Sequence, residues 1–265
     1  HKTSSGWNNL FQAAIELPEQ TAEQRSSKYL RLAQISEDFI AAVELYGKLI
    51  ISELNCRIKT ISHNAELGGI AGGKKFVVQG ILFKVTHDRY ISEHRGYMYG
   101  GVSPKEEYAA KAAGHELKGS SRYLRYFLSN TNQGSDGAVA ANTPRVPMQV
   151  VMDYMGYRLV AQPWLPLQKL VYGSSNAGST IHCSNEHVNH VMEQAGRALH
   201  LAPHHVVNGG DVELSAATDV EVHQGHDGRL YLLDLARTFP PEQPKAVNHL
   251  PLCPYAVFFR LMRPE

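Results

Sequence analysis

The sequence lacks an apolar run long enough to cross a bilayer. No uninterrupted apolar stretch of about 18 residues occurs in the chain, which argues against a membrane-spanning helix. No signal-peptide pattern opens the sequence either. The chain starts at His1 rather than at a methionine and stops at Glu265, so we interpret it as a fragment of a longer protein.

Cysteine is scarce. The chain has 3 cysteines, which lie far apart and form no CxxC pair: Cys56, Cys183 and Cys253. A dispersed, odd-numbered set predicts free thiols in a reducing compartment rather than a disulfide framework or a cysteine zinc site. We therefore expect a cytoplasmic protein.

Histidine is abundant, with 14 residues, but no HExxH motif is present. His187 and His190 lie three positions apart on a predicted helix, which by itself is a weak metal-ligand pattern. We interpret the histidines as mainly surface or hydrogen-bonded side chains. A serine nucleophile elbow of the GxSxG kind is also absent.

The order of predicted elements indicates an α+β fold with mainly antiparallel strands. The 43% hydrophobic content supports a proper core, and the net charge of +1 favours no partner class. We divide the chain into an N-terminal arm (1–20), a helix, glycine-loop, strand and helix region (21–128), a flexible loop (129–147) and a C-terminal core (148–265). We expect a helix over 21–42, β-rich residues over 45–54, a helix over 106–128 broken near Gly119, and a hairpin around the GHDG turn (225–228).

Four glycines in GGIAGGKK form a candidate phosphate-binding loop: Gly68, Gly69, Gly72 and Gly73. Paired glycines let backbone N–H groups converge on an anion, and the two lysines that follow add positive charge. The loop lacks the GK[ST] of a P-loop, and no helix follows it. A plain hairpin turn is the alternative.

Lys84 ends the apolar strand ILFKV directly after this loop. A strand lysine in this place can reach phosphates that a glycine loop covers, as in kinase-type nucleotide sites. We expect a glutamate of the next helix to orient it, and we choose Glu116 over Glu106 and Glu107. The alternative is an edge-strand lysine that faces solvent.

Asp234 ends the strand of GRLYLLDLAR, where a kinase-like fold places its metal-binding aspartate. We predict that Asp234 binds magnesium, that Asp219 is a base or second metal ligand, and that Arg237 holds an acidic substrate group. The alternative is a structural ion pair between Asp234 and Arg237. This element order suggests a two-lobed, kinase-like arrangement with a compact C-terminal lobe and with AQPWLPL as the hinge. Only about 30 residues follow Asp234, too few for the helical lobe of a protein kinase.

Several blocks of the C-terminal half resemble the Clu domain of the clustered-mitochondria proteins. They are VVMDYMGYRLVAQPWLPL, LVYGSSNAGSTIH, LHLAPHHV and VELSAATDVEVHQGHDGRLYLLDLARTFPPE, which occur in the family's order. The N-terminal half, with its glycine loop and AAKAAGHELKG, looks more like the stand-alone Clu-domain proteins of microbial eukaryotes. The resemblance implies a cytosolic protein needed for mitochondrial distribution, with messenger RNA and ribosomes as partners. It supplies no catalytic residues, so the Lys84 hypothesis rests on this sequence alone.

Three functional hypotheses follow. The first is a kinase-like phosphotransferase that uses ATP and Mg²⁺ on a small molecule or lipid headgroup. The second is a non-catalytic Clu module that binds RNA or protein, with a basic helix stripe of Lys111, Lys118, Arg122 and Arg125. An ordinary solvated helix face is the alternative interpretation of that stripe. The third is a pseudoenzyme that binds nucleotide without turning it over.

Overall fold

The structure is a computed structural model that describes residues 6–64, 67, 73–93, 96–99, 102–131, 143–175, 180–206, 212–217 and 219–239. Its helices are α1 (Gly6–Ile15), α2 (Ala22–Ser52), α3 (Glu106–Thr131) and α4 (Glu186–Ala198). Its strands are β1 (Lys75–Val78), β2 (Ile81–Val85), β3 (Tyr90–Ser92), β4 (Gly96–Tyr97), β5 (Val150–Tyr154), β6 (Tyr157–Pro163), β7 (Leu167–Ser175), β8 (Thr180–His182), β9 (His204–His205), β10 (Glu213–Leu214), β11 (Glu221–Gly225) and β12 (Leu230–Leu233). The predicted α+β class with antiparallel strand pairs is confirmed.

The N-terminal arm contains a helix that is anchored in the protein. Phe11 and Ile15 of α1 are buried, and the Trp7 ring meets the Phe39 ring edge-on at 5.3 Å between centroids. The Asn8 amide donates a hydrogen bond to the Tyr231 hydroxyl at 2.7 Å. Residues 6–15 of the predicted arm are therefore a helix, held in place by contacts with residues distant in sequence.

Helix α2 begins where the sequence predicts and ends later. The Thr21 hydroxyl accepts from the Gln24 N–H and the Gln24 side chain accepts from the Thr21 N–H, which is a capping box. The predicted β-rich segment 45–54 is wrong, because the helix continues to Ser52. Gly47 explains the difference: a Cβ there would lie 2.9 Å from the Met152 sulfur. Close packing of the helix on the sheet overrides the strand preference of the segment.

The first sheet has the strand order β1-β2-β6-β5, and its two faces differ. Alternate residues point to the side of α1 and α2, where they join a buried apolar cluster that includes Phe76, Phe83 and Leu159. The residues between them point to the opposite side. We call that side the cleft face, because it carries Lys84 and lines a cavity beside α3.

Helix α3 is continuous through Gly119, so the predicted break there is wrong. A Cβ on Gly119 would lie 2.3 Å from the Leu235 carbonyl oxygen. The glycine lets α3 touch the backbone of the segment that follows β12. It marks a close approach between two elements rather than the end of a helix.

The second sheet has the order β12-β11-β7-β8 and packs against α4. The predicted hairpin around 225–228 is confirmed: β11 and β12 pair antiparallel across a turn in which Gly228 has φ 78°. Within the predicted loop 129–147, residues 132–142 lie outside the described residues. Its last part is not an exposed linker, because Arg145 and Val146 are buried and the Arg145 N–H donates to the Leu230 carbonyl.

In the described part of the chain, none of the helices combines the length and apolarity that a bilayer-spanning helix needs.

Candidate functional site

A cavity of about 110 Å³ lies between the cleft face of the first sheet, helix α3 and the residues that follow β12. Lys84, Glu116 and Asp234 all line it. The structure thus brings together the three side chains that the sequence singled out from three separate elements. Glutamine side chains add polar groups to an otherwise apolar wall that includes Ala109, Ala112, Ala113 and Val160.

Strand alternation places Lys84 in the cavity. Its neighbours Phe83 and Val85 are buried in the core cluster on the helix side of the sheet. Lys84 therefore points the other way, as do Val160 and Gln162 on the adjacent strand. The edge-strand alternative does not apply, because β2 is paired on both sides, with β1 and with β6.

Glu116 reaches the cavity from α3. The pKa of the Glu116 carboxyl is raised to about 7, mainly by burial and next by the negative charge of Asp234, while Lys84 opposes the rise. The Leu235 N–H also donates a hydrogen bond to this carboxylate. Gln149 lies 3.4 Å from Glu116 Oε1 and receives a hydrogen bond from the Ser120 hydroxyl. The two other candidate glutamates line a different cavity: Glu106 and Glu107.

Asp234 sits directly after β12 in a left-handed conformation, with φ 59°. Aspartate tolerates this region better than most residues, yet it remains a sparsely populated one. Unusual backbone geometry often accompanies functional positions. In this protein the left-handed residue, Asp234, lies where the chain turns after β12 and lines the cavity.

Arg237 pairs with Asp219 rather than with Asp234. The Arg237 Nε lies 3.5 Å from Asp219 Oδ2, and the two side chains are 15% and 29% exposed. The structural pair of Asp234 with Arg237 that the sequence left open is therefore absent in the described residues. Burial raises the pKa of the Asp219 carboxyl to about 6, with Arg237 opposing and Asp234 adding to the rise.

The glycine loop is described only at its end. Gly68, Gly69 and Gly72 lie outside the described residues. Gly73 lines the cavity, and a Cβ there would lie 1.6 Å from the Val85 carbonyl oxygen. The start of β1 therefore requires a glycine for close backbone contact.

The sequence interpretation missed Tyr99 as a member of the site, and it did not pair Lys75 with Lys84. Tyr99 lines the cavity, and burial raises the pKa of its hydroxyl to about 12. Lys75 is the cross-strand partner of Lys84, so both project from the same face of the sheet. The sequence did contain a signal for Lys75: a two-residue turn at Gln79–Gly80 fixes the register of the hairpin around it.

The predicted hinge AQPWLPL joins the two sheets. Gln162 is 5% exposed and lines the cavity. The Trp164 N–H donates to the Gly80 carbonyl at 2.8 Å and so extends the pairing beyond β6. The connection between the sheets is only three residues long, Trp164 to Pro166.

A second cavity, of about 780 Å³, lies at the N-terminal end of α3. It shares Val85, Thr86 and His87 with the first cavity. Its charged groups are partly paired: Arg158 binds both carboxylate oxygens of Asp153, at 2.7 and 2.6 Å.

The residues that the structure describes do not form a metal site by themselves. They contain no group of three or more His, Cys, Asp or Glu side chains placed to hold an ion. The predicted magnesium role of Asp234 depends on oxygen ligands from elsewhere.

The predicted basic stripe lies on the continuous helix α3. Lys118, Arg122 and Arg125 are exposed, and Lys111 is half-buried at the larger cavity. Residues at spacings of 4 and 3 fall on one helix face. The stripe therefore exists as a surface feature from Lys118 to Arg125.

Comparison with known proteins gives a consistent result. A family model described as "CLU: Clustered mitochondria" matches residues 6–244. A "Clustered mitochondria protein homolog" of Culex quinquefasciatus is 29% identical over 93% of this chain and 16% of its own length. "Protein clueless" of Drosophila ananassae is 29% identical over 93% of this chain and 15% of its own length. The "Clustered mitochondria protein homolog" of Homo sapiens is 28% identical over 93% of this chain and 17% of its own length. The chain spans about 16% of the length of such relatives, and no solved structure matches.

Proposed function

The chain belongs to the clustered mitochondria family, and we propose that it is a non-catalytic Clu interaction module that serves mitochondrial distribution in the cytoplasm. The observation that carries this proposal is the extent of the match. It covers residues 6–244 of this chain, and alignments that take in 93% of the chain use only 16% of a relative. A unit of this kind within a larger protein fits a positioning or recruiting role.

The surface we propose for recruitment is the basic stripe on α3. Exposed arginine and lysine side chains on one helix face attract phosphate groups, and such contacts supply most non-specific affinity for RNA. Lys118, Arg122 and Arg125 meet this requirement. RNA is therefore the partner that we propose for this surface.

A domain replacement tests the interaction module. Cells that lack their own clustered mitochondria protein would receive a full-length relative in which the Clu domain is replaced by this chain. We expect the wild-type chain to restore mitochondrial distribution, and Asp234→Asn to restore it equally. The triple variant Lys118→Glu, Arg122→Glu, Arg125→Glu should fail to restore it and should reduce RNA co-purification. Full rescue by the triple variant, or loss of rescue with unchanged RNA, would overturn the assignment of RNA to this stripe.

A second candidate function is nucleotide binding in the cleft, and the convergence of Lys84, Glu116 and Asp234 favours it. In this hypothesis the strand lysine contacts phosphates, Glu116 orients the lysine, and Asp234 holds magnesium together with phosphate oxygens. Magnesium is commonly bound by one or two carboxylates plus substrate phosphates, so the absence of a protein-only metal cluster among the described residues is compatible with it. The order of sheet, helix, hinge and hairpin supports a kinase-like arrangement.

Binding without turnover is the form of this second function that we favour. The proposed base, Asp219, is paired with Arg237 through Oδ2 at 3.5 Å, so a substrate proton would have to reach its other oxygen. Arg237 is in turn occupied by Asp219 rather than open to a substrate. In a phosphotransferase acting on a small molecule or lipid headgroup, Arg237 would have to leave Asp219 to hold an acidic substrate group.

A thermal shift experiment with ATP and Mg²⁺ tests the second function. A ligand that binds the native state raises the melting temperature by mass action. We expect a magnesium-dependent rise for the wild type, none for Asp234→Asn, and a normal rise for the surface control Asp38→Asn. No rise in folded wild-type protein at millimolar ATP would remove the nucleotide hypothesis. Formation of ADP and inorganic phosphate in the same samples would show transfer of the γ-phosphoryl group to water, and would replace binding alone with turnover.

A further inference from the structure

The hairpin β1–β2 places two lysines directly opposite each other on the cleft face. Lys75 and Lys84 are paired in register, and so are Phe76 and Phe83, which are buried on the other face. Side chains of cross-strand partners lie on one face, with Cβ atoms about 5 Å apart. Two ammonium groups therefore project side by side from the sheet.

This pairing is unfavourable in the free protein. Like charges opposite each other destabilise a strand pair. Burial lowers the pKa of the Lys75 ammonium, the charge of Lys84 lowers it further, and Asp234 opposes this effect. The nearby charge of Arg89 also lowers the pKa of Lys75. Lys84 in the wall of the cavity and Lys75 beside it thus concentrate positive charge that a bound anion would relieve.

The size and composition of the cavity indicate which anion fits. At about 110 Å³, the cavity is smaller than the roughly 300–1,000 Å³ of sites that enclose a whole drug-sized ligand. It can enclose the phosphate part of a ligand and leave the rest outside. Two neighbouring ammonium groups match two neighbouring phosphates, and lysine binds phosphate as a point charge. The negative charge of Asp234, which also lines the cavity, repels a bare anion. It therefore favours a phosphate chain that carries a bound cation.

We propose that Lys75 and Lys84 together hold adjacent phosphates of an oligophosphate chain, as found in a nucleoside triphosphate or in free inorganic polyphosphate. Lys75 is then a binding residue of the cleft, equal in role to Lys84. This inference deepens the second proposed function and rests on the cleft being a ligand site. It does not depend on the RNA-binding stripe.

Calorimetric titration of the folded chain tests the lysine pair. The probes are inorganic tripolyphosphate, ATP and orthophosphate, each with Mg²⁺. We expect Lys75→Gln and Lys84→Gln each to weaken tripolyphosphate binding at least tenfold and to reduce its salt dependence. Lys75→Arg keeps the charge and should retain binding. The matched control is Lys74→Gln, because Lys74 is the adjacent lysine but lines the other cavity, and it should bind as the wild type does.

The outcomes distinguish failure of the lysine pair from failure of the nucleotide-binding hypothesis. Equal binding of tripolyphosphate and ATP supports recognition of the phosphate chain itself, and much tighter binding of ATP supports a nucleoside triphosphate. ATP binding that needs Lys84 but tolerates Lys75→Gln would overturn the lysine pair and leave the nucleotide hypothesis standing. An equal loss in Lys74→Gln would also overturn the pair. No binding of any probe to the folded wild type would overturn both. Melting curves of each variant identify any that fail to fold.

Discussion

The two faces of the first sheet are made from alternate residues of the same strands, yet they have opposite physical character. One face buries Phe76, Phe83 and Leu159 against α1 and α2. The other carries Lys75 and Lys84 and faces the cavity that Glu116 and Asp234 also line. The first arrangement stabilises the fold, and the second brings charges of both signs together at some cost. This separation predicts that substitutions on the two faces affect different measurements.

The largest expected effect comes from the apolar face. Phe83→Ala should lower the free energy of unfolding by about 3–5 kcal/mol, because it removes a fully buried aromatic ring and leaves a cavity. Chemical denaturation measures the change. The neighbouring substitution Lys84→Gln should change the unfolding free energy by less than about 1 kcal/mol while weakening tripolyphosphate binding at least tenfold. Comparable destabilisation by both would contradict the division between the faces.

Next in size is the contact between α3 and the segment after β12. Gly119→Ala would place a Cβ 2.3 Å from the Leu235 carbonyl oxygen. We expect it to cost about 1–3 kcal/mol through overpacking and to disturb the cleft. Gly114→Ala on the same helix is the control, since its nearest neighbour would be Arg158 at 3.7 Å. That variant should be neutral or stabilising by up to about 1 kcal/mol, and a loss as large as that of Gly119→Ala would refute the close approach.

The charged face should also impose a pH dependence on stability. The pKa of Glu116 is raised from 4.5 to about 7, and that of Asp219 from 3.8 to about 6. Between their unfolded and folded pKa values the native state binds more protons than the unfolded state, so stability falls as pH rises. We expect the decline between about pH 4 and pH 7, and a flatter profile for Glu116→Gln. Denaturation across this range measures it, with Glu107→Gln as a control that should follow the wild type.

The smallest expected effect concerns the backbone at Asp234. Its φ of 59° suits glycine and asparagine and strains a β-branched residue. Asp234→Asn and Asp234→Gly should differ in unfolding free energy by less than about 1 kcal/mol, whereas Asp234→Val should lose about 1–2 kcal/mol relative to them. All three remove the carboxylate, so the comparison isolates backbone strain. Equal stability of the valine variant would show that the left-handed conformation is not maintained.

Local patterns predicted those parts of the molecule that local chemistry decides. The start of the helix at residues 21–22 and the hairpin around 225–228 follow from local capping and turn residues. Strand alternation, applied to the Gln79–Gly80 turn, could have paired Lys75 with Lys84. The convergence of Lys84, Glu116 and Asp234 was predicted only through the order of elements.

The sequence predictions that were wrong concern features that depend on contacts between distant parts of the chain. The extension of α2 to Ser52 depends on packing against β5 and β6. Helix α1 is held against the rest of the protein in part by a hydrogen bond from the Asn8 amide to the Tyr231 hydroxyl. The pairing of Arg237 with Asp219 rather than with Asp234 is decided by side-chain positions that sequence spacing does not fix.

The most direct test of whether Lys84, Glu116 and Asp234 share one cavity is a titration of Glu116. NMR of protein labelled with ¹³C at the glutamate carboxyls monitors this titration. We predict a midpoint of about 7, which should fall in Asp234→Asn because a negative neighbour is lost. It should rise in Lys84→Gln because a positive neighbour is lost. A midpoint near the ordinary value of 4.5, unmoved by either substitution, would contradict the shared cavity on which the cleft proposals rest.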